Sequence, residues 1–355
     1  MASRNNDIAA QLAEQVAQAY KQQTPLAIRA GNSKSFYGNA VSGKTLDVRE
    51  HSGIVEYQPS ELVLTARCGT PLSEIRTALR QHKQMLAFEP PMHQPGSTFG
   101  GAIATGLSGP RRAFTHNGGG AVRDFVLGTR IINGKGEILS FGGQVMKNVA
   151  GYDASRLMTG AQGTLGVLLD ISVKVLPVPE TEITLSLEMN ASEAQHKLGQ
   201  WIRQGLPLSA SVQFGNTLII RLSNTANSVA AAHKRIGGET VNKDYWQYIQ
   251  HQSHDFFSQP NLWRVSVPPA TPPIAGDKPQ LVEWAGALRW IVSETPLFEL
   301  AAQHGGHATR YRFDNDGQTD CFQPLSKSLL ALHKRLKHSF DPAGMLNAGR
   351  LYQVL

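Results

Sequence analysis

Half of the 34 glycines fall between Gly96 and Gly166, and apolar runs separate them: Phe125-Val126-Leu127, Ile131-Ile132 and Val167-Leu168-Leu169. Glycine permits positive φ and leaves no Cβ in the way. The backbone N–H groups it bares can line concave nests for phosphate oxygens. A second stretch of this kind, Arg29-Ala30-Gly31-Asn32-Ser33-Lys34-Ser35, offers one glycine, hydroxyls and two cations. The chemistry these residue types supply is the grip of bare main chain on a large anionic ligand. Two compact phosphate signatures are missing. No G-x-G-x-x-G opens a helix, because Gly118-Gly119-Gly120 runs through Ala121-Val122-Arg123-Asp124 into a strand, and there is no G-x-x-x-x-G-K-[ST]. A diphosphate would therefore be held by several separate loops.

Composition narrows the classes. Hydrophobic residues at 41% and charged residues at 17% describe a globular chain rather than a disordered glycine-rich one. No apolar run approaches the roughly 20 residues of a membrane helix, and residues 1–7 lack the apolar core of a secretory signal, so a cytoplasmic chain is expected. Cys68 and Cys321 are the two cysteines. They cannot hold a cluster that needs four thiolates, which puts any iron–sulfur centre on another chain. The net charge of +7 is scattered, and its densest groups are Arg111-Arg112 and His333-Lys334-Arg335 with Lys337-His338. The second group reads as the solvated side of a helix whose apolar face is Leu325, Leu329, Leu332 and Leu336. Without basic–aromatic interleaving, no nucleic acid is expected.

The elements that must position these residues follow from periodicity. Ile8, Leu12, Val16 and Tyr20 have helical spacing, and Leu26-Ala27-Ile28 reads as a short strand feeding the Arg29 loop. Leu62 to Ala66 reads as a buried strand, followed by a helix with Thr70 as cap and Pro71 at its first position. Asn133-Gly134-Lys135-Gly136 predicts a hairpin between Val126–Ile132 and Ile138–Phe141. Strict alternation from Val167 to Val175 predicts a half-buried strand, and Pro177-Val178-Pro179 marks a domain boundary. Beyond it, a strand at 183–187, two strands within 210–222 around Gly215-Asn216 and a strand at 263–267 alternate with helices at 192–204, 226–236 and 243–257. That pattern predicts an antiparallel sheet with helices, an α+β arrangement.

Four segments, in order, resemble the FAD-binding family of the vanillyl-alcohol-oxidase and PCMH type. They are the Arg29 loop, similar to R-x-G-x-x-S; Pro95-Gly96-Ser97-Thr98-Phe99-Gly100-Gly101 through Gly106; Lys147-Asn148-Val149-Ala150-Gly151-Tyr152-Asp153 through Gly166; and Phe340-Asp341-Pro342 through Asn347-Ala348-Gly349-Arg350, similar to F-D-P-x-G-x-x-N-P-G-K. The segments G-P-R-R, V-R-D-F-V-L-G-T-R-I-I and G-G-H-A-T-R are similar to the FAD-binding subunits of bacterial glycolate oxidases. Ala348 departs from the family's Pro, and Arg350 from its Lys.

The resemblance implies a PCMH-type FAD-binding domain of two α/β subdomains over 1–178, a smaller α+β cap over 179–338, and a tail over 339–355 that returns to the flavin. It implies FAD, held non-covalently because the first loop has no His or Cys to tether it. Arg29, Gly31, Asn32, Ser33 and Ser35 are expected at the diphosphate, and Pro95, Gly96, Ser97, Thr98, Gly100, Gly101 and Gly106 around the ribose and ring system. Gly151, Asp153, Gly163, Gly166 and Val167 are expected toward the adenine and ribose, and Asn347 and Arg350 over the isoalloxazine. His307 and Arg310 are the substrate-side candidates, one to take a hydroxyl proton and one to hold a carboxylate. The implied activity is oxidation of glycolate or a similar 2-hydroxy acid, with electrons passed to an iron–sulfur subunit beside a larger FAD-binding sister subunit, and with peripheral association at the cytoplasmic face of the inner membrane through those partners. Two alternatives stay open: a non-catalytic flavin carrier, and a stand-alone oxidase that uses oxygen. No metal is expected.

Overall fold

The computed structural model describes residues 5–115, 120–143, 153–313 and 320–355. The helix Ala9–Gln22 buries Leu12 and Val16 as their spacing predicts. It leads to β1 (Leu26–Arg29), which pairs in parallel with β2 (Lys44–Asp47). β3 (Ile54–Gln58), β4 (Val63–Arg67), β6 (Val126–Ile132), β7 (Ile138–Gly142) and β8 (Val167–Lys174) form an antiparallel sheet in the order β3-β4-β8-β6-β7. β5 (Gln84–Met85) and β9 (Leu176–Pro177) make a short antiparallel clasp. β8 lies at the centre of its sheet because Val167, Leu169, Ile171 and Val173 are all fully buried.

The second sheet has eight antiparallel strands. They are β10 (Thr181–Glu188), β11 (Leu208–Phe214), β12 (Thr217–Asn224), β13 (Glu239–Val241), β14 (Leu262–Ser266), β15 (Gln280–Glu283), β16 (Leu288–Val292) and β17 (His307–Arg312), in the order β13-β10-β12-β11-β15-β16-β14-β17. A core on its inner face joins it to the N-terminal part of the chain: Tyr37, in the loop after β1, and Leu107, just past the helix Phe99–Thr105, cluster with Val212, Trp290 and Tyr311 of the sheet. The outer face buries Trp263, Val265, Ile291 and Ala308 under the helix Phe298–Gln303.

A buried ion cluster also crosses the seam. Glu89 accepts from Arg221 Nη2 at 2.7 Å and from the Arg111 backbone N–H at 2.9 Å, while Arg111 Nη2 reaches Glu182 at 3.1 Å. Burial pushes the Glu89 carboxyl up, but Arg221 and Arg111 outweigh it and hold the group below the usual carboxylate range.

Three local expectations need correction. Thr70 does not cap the helix Leu72–Gln81. Its hydroxyl donates to the Arg67 carbonyl at 2.7 Å and accepts from Gly53 N–H at 2.9 Å, leaving Pro71 at the cap. The 243–257 stretch is not one helix. It breaks after Tyr245–Gln250, where Gln252 takes φ 54°, and resumes as a 3-10 turn at Asp255–Ser258. The apolar face expected on the helix Lys327–Phe340 is largely exposed, with Leu329 and Leu332 at 49% and 50%. That helix is instead anchored by its last turn. Lys337 Nζ donates to the carbonyls of Thr164 and Leu346 and to Asp341 Oδ2, at 2.8, 2.8 and 2.7 Å.

Candidate functional site

A cleft lies between β1 with the loop that follows it and the segment that leads into β8, with Ile28, Gly31, Gly163 and Val167 among its lining. Its wall is built around the loop after β1. In that loop the backbone N–H groups of Gly31, Asn32, Ser33 and Lys34 donate to no acceptor among the described residues, while Ser35 N–H closes a turn on the Asn32 carbonyl at 3.3 Å. Asn32 sits at φ 55°. Consecutive unpaired donors around a left-handed residue make an anion nest. Arg29, Lys34 and Arg350 line the cleft, and no Asp or Glu does. Lys34 is 7% exposed, and burial lowers its ammonium to about 8. A wall of unpaired donors and buried cations suits a diphosphate.

Glycine in this region serves the approach of one loop to another. A Cβ on Gly31 would stand 1.7 Å from the Gly96 carbonyl oxygen, and one on Gly100 would stand 2.5 Å from Cys68 Cβ. Ser97 sits beneath the crossing, its hydroxyl 2.9 Å from Ser33 Oγ. Thr98 caps the helix Phe99–Thr105, accepting from Gly101 N–H at 3.2 Å.

The structure sorts the expected cofactor residues into two sets. Arg29, Gly31, Asn32, Ser33, Ser35, Thr98, Gly100, Gly101, Gly163, Gly166, Val167, Asn347 and Arg350 line the cleft. Pro95, Gly96, Ser97, Gly106 and Asp153 do not. Pro95 and Gly96 are exposed. Gly106 ends its helix at φ 64°. Asp153 caps the helix Ala154–Leu157 and pairs with Arg156 at 2.8 Å, so its carboxylate is already engaged. Gly151, with the segment from Lys147, lies outside the described residues.

Asn347 and Arg350 reach the cleft, but their polar atoms are committed to the protein. Asn347 Oδ1 accepts from Ile28 N–H at 2.8 Å, and its Nδ2 donates to the Gln162 carbonyl at 2.7 Å. Arg350 donates through Nε to Gln162 Oε1, and through both terminal nitrogens to the carbonyls of Lys34, Ser35, Tyr37 and Asn39, at 2.6–3.3 Å. These two residues shape the cleft by pinning its loops. Burial lowers the Arg350 guanidinium to about 10, so it stays charged at neutral pH.

Lys34, Cys68 and Gln162 line the cleft without having been picked out. Lys34 carried a signal, a cation between the two serines of the expected diphosphate loop. Cys68 and Gln162 carried none. The Cys68 thiol is pushed up by burial, which keeps it protonated and unreactive.

His307 and Arg310 do not line the cleft. They cannot converge on one substrate, because residues three apart on a strand face opposite sides. The register pairs His307 with Ser266 and Arg310 with Trp263. Arg310 lies 4.6 Å over the Phe313 ring on the outer, Trp263 side. His307 keeps solvent access on the inner side.

Comparison with known proteins bears on this site. The chain is 48% identical over 356 residues to the glycolate oxidase subunit GlcE of Escherichia coli (strain K12), covering 99% of each. It belongs to that family. A family model described as an FAD binding domain matches residues 7–142, a span that contains the Arg29 loop and the Thr98 helix. The glycolate oxidase subunit GlcD of Bacillus subtilis (strain 168) is 34% identical over 143 residues, covering 40% of this chain and 29% of the relative. p-Cresol methylhydroxylase, solved with substrate bound, matches with a TM-score of 0.68 at 13% identity, covering 96% of this chain and 87% of that one. That likeness shows the fold: an α+β, PCMH-type architecture. The cofactor of this family is FAD, and the unpaired nest with its carboxylate-free wall fits the diphosphate of that group.

Proposed function

We propose that this chain is an FAD-bearing subunit of a complex that oxidises glycolate, or a similar 2-hydroxy acid, to the 2-oxo acid. The observation that carries the reading is end-to-end similarity to a glycolate oxidase subunit, joined to a cleft whose wall suits a diphosphate. FAD, when bound, supplies the two-electron acceptor for the hydride on the substrate's C2. The chain's own residues do the rest. The Gly31–Lys34 nest and the Arg29 and Lys34 cations hold the diphosphate, and Arg350 and Asn347 keep that loop shaped to receive it. The flavin is held without a covalent bond, since the cleft offers only a protonated thiol.

His307 takes the hydroxyl proton as the C2–O bond becomes a carbonyl. The surrounding protein, together with the charges of Arg264 and Arg112, lowers its imidazole from the usual value, so at neutral pH it is the neutral form that accepts a proton. In the same proposal the electrons leave to an iron–sulfur partner, and a larger flavoprotein sister sits beside the chain. None of the described helices is long and apolar enough to cross a membrane, so contact with the inner membrane surface from the cytoplasmic side would run through those partners.

Anaerobic glycolate added to the purified, FAD-loaded chain tests the reading. Bleaching of the flavin, with turnover only after the partner subunits are supplied, is the expected result. An unbleached flavin in the assembled complex would leave the chain a passive flavin carrier, and peroxide formation by the chain alone would make it an oxidase.

A further inference from the structure

Arg310 faces away from the seam, so the carboxylate of a 2-hydroxy acid needs another cation. The inner face of the second sheet supplies two. Arg112, from the first domain, places its guanidinium carbon 4.6 Å from the centroid of the Trp284 ring, and Arg264 on β14 places its own 5.2 Å from the same ring. Both side chains are half-buried. Neither guanidinium has a hydrogen-bond or ion-pair acceptor among the described residues. The nearby carboxyls bond elsewhere: Glu283 accepts from Trp290 Nε1 at 2.7 Å, and Asp124 from Ala121 N–H at 2.9 Å. The two guanidiniums repel each other, and a bound anion would relieve that repulsion.

The backbone here is strained and held in place. Trp284 and Ala285 are consecutive non-glycine residues at φ 55° and 53°, a conformation that persists only where its surroundings impose it. Trp284 Nε1 donates to the Gly109 carbonyl at 3.0 Å, and Ala285 N–H to Ser211 Oγ at 2.9 Å. The first of these bonds ties the ring to the segment that follows Thr105, a residue of the cleft wall. Arg264 also acts electrostatically on Tyr37, two residues past Ser35 of the same wall, and on His307. The cation pair is therefore within electrostatic reach of Tyr37, beside the cleft wall, and of His307.

We propose that Arg112 and Arg264 bind the carboxylate of a small 2-hydroxy or 2-oxo acid, in the role the sequence suggested for Arg310. The planar forks of the two guanidiniums match a carboxylate's two oxygens, and Trp284 holds them in place. This assignment rests on the oxidation of a 2-hydroxy acid proposed above.

Oxalate, a carboxylate that cannot give up a C2 hydride, is the probe. It is titrated into the FAD-loaded chain while flavin absorbance and heat are followed. Arg264→Met and Arg112→Met are each expected to weaken oxalate binding at least tenfold with flavin content retained, and Arg310→Met to bind it as the parent does. If one arginine variant fails to fold, the other decides. Parent-like oxalate binding in the folded variants overturns the assignment, as does an FAD-loaded parent that binds no oxalate. The two proposals fail separately. Glycolate bleaching at an unchanged half-saturating concentration in both methionine variants removes the arginine pair and leaves the oxidation standing. Oxalate binding that depends on the arginines, in a complex that glycolate never reduces, upholds the pair as a carboxylate site and removes the oxidation.

Discussion

Arg350 illustrates what a motif does and does not say about a single residue. The sequence places it at the flavin, and it does reach the cleft, but its donors go to four carbonyls and an amide of the protein. A motif reports that a residue type is required. Whether it touches ligand or scaffold depends on distant carbonyls that the sequence does not display. Arg350→Lys keeps the charge but loses the fork, stranding buried carbonyls. A thermal or denaturant melt should show a loss of roughly 2–4 kcal/mol, with weaker FAD retention. Lys34 gives a second prediction. Its ammonium titrates near 8 in the folded chain, against an ordinary 10.5. Between those values the unfolded chain holds the extra proton, so apoprotein stability should rise with pH across that window. A diphosphate beside Lys34 restores its charge. FAD binding at pH 9 should therefore take up a proton, and affinity should fall as pH climbs past 8. Calorimetry in buffers of different ionisation enthalpy checks this; binding with no proton uptake would remove Lys34 from the diphosphate.

Strands with a strict period announced themselves: the alternation expected from Val167 to Val175 is the burial pattern of β8 except at Ser172, which is buried on the other face, and Asn133 makes the turn between β6 and β7 with its side-chain oxygen accepting from Lys135 and Glu137 N–H. Period alone did not say which apolar faces find a partner, so Leu329 and Leu332 looked like core and are exposed. Nor did composition reveal that His307 and Arg310 part company across a sheet, although their odd spacing on a strand contained that fact. The glycine-rich loops were legible as sites of close approach. What the sequence could not specify was what approaches what, and at Gly31 the neighbour is Gly96 rather than ligand. Gly31→Ala is thus predicted to act through the fold. Its methyl would meet a backbone oxygen that cannot swing aside, at or above the about 1–3 kcal/mol typical of overpacking. A lowered melting temperature in the FAD-free protein is the expected result, and an unchanged apo melt with lost FAD would put the ligand there instead.

Across the whole molecule, the order of the eight-stranded sheet was beyond reach of sequence reading, since β11 and β15 pair across more than sixty residues through contacts with no local signature. The seam cluster was equally hidden: Glu89 and Arg221 are 132 residues apart. Removing its carboxylate leaves Arg111 and Arg221 short of a counter-ion in a desolvated place. Glu89→Gln should cost about 3–5 kcal/mol, and a denaturant melt should resolve the parts built on the two sheets into distinct transitions. A single unshifted transition would show that the apolar seam alone joins them.

The return of the chain to β1 has a consequence for biosynthesis. Leu346 bridges Leu26, and Asn347 completes the hydrogen bonding of Ile28, so one wall of the cleft is made by residues translated more than three hundred positions later. Chains emerging from the ribosome tend to fold from the N-terminus onward, but the cleft beside β1 lacks that wall until the segment around Asn347 has emerged. Nascent chains stalled before that point should leave the tunnel colourless, and flavin loading should be among the last events in the making of the protein.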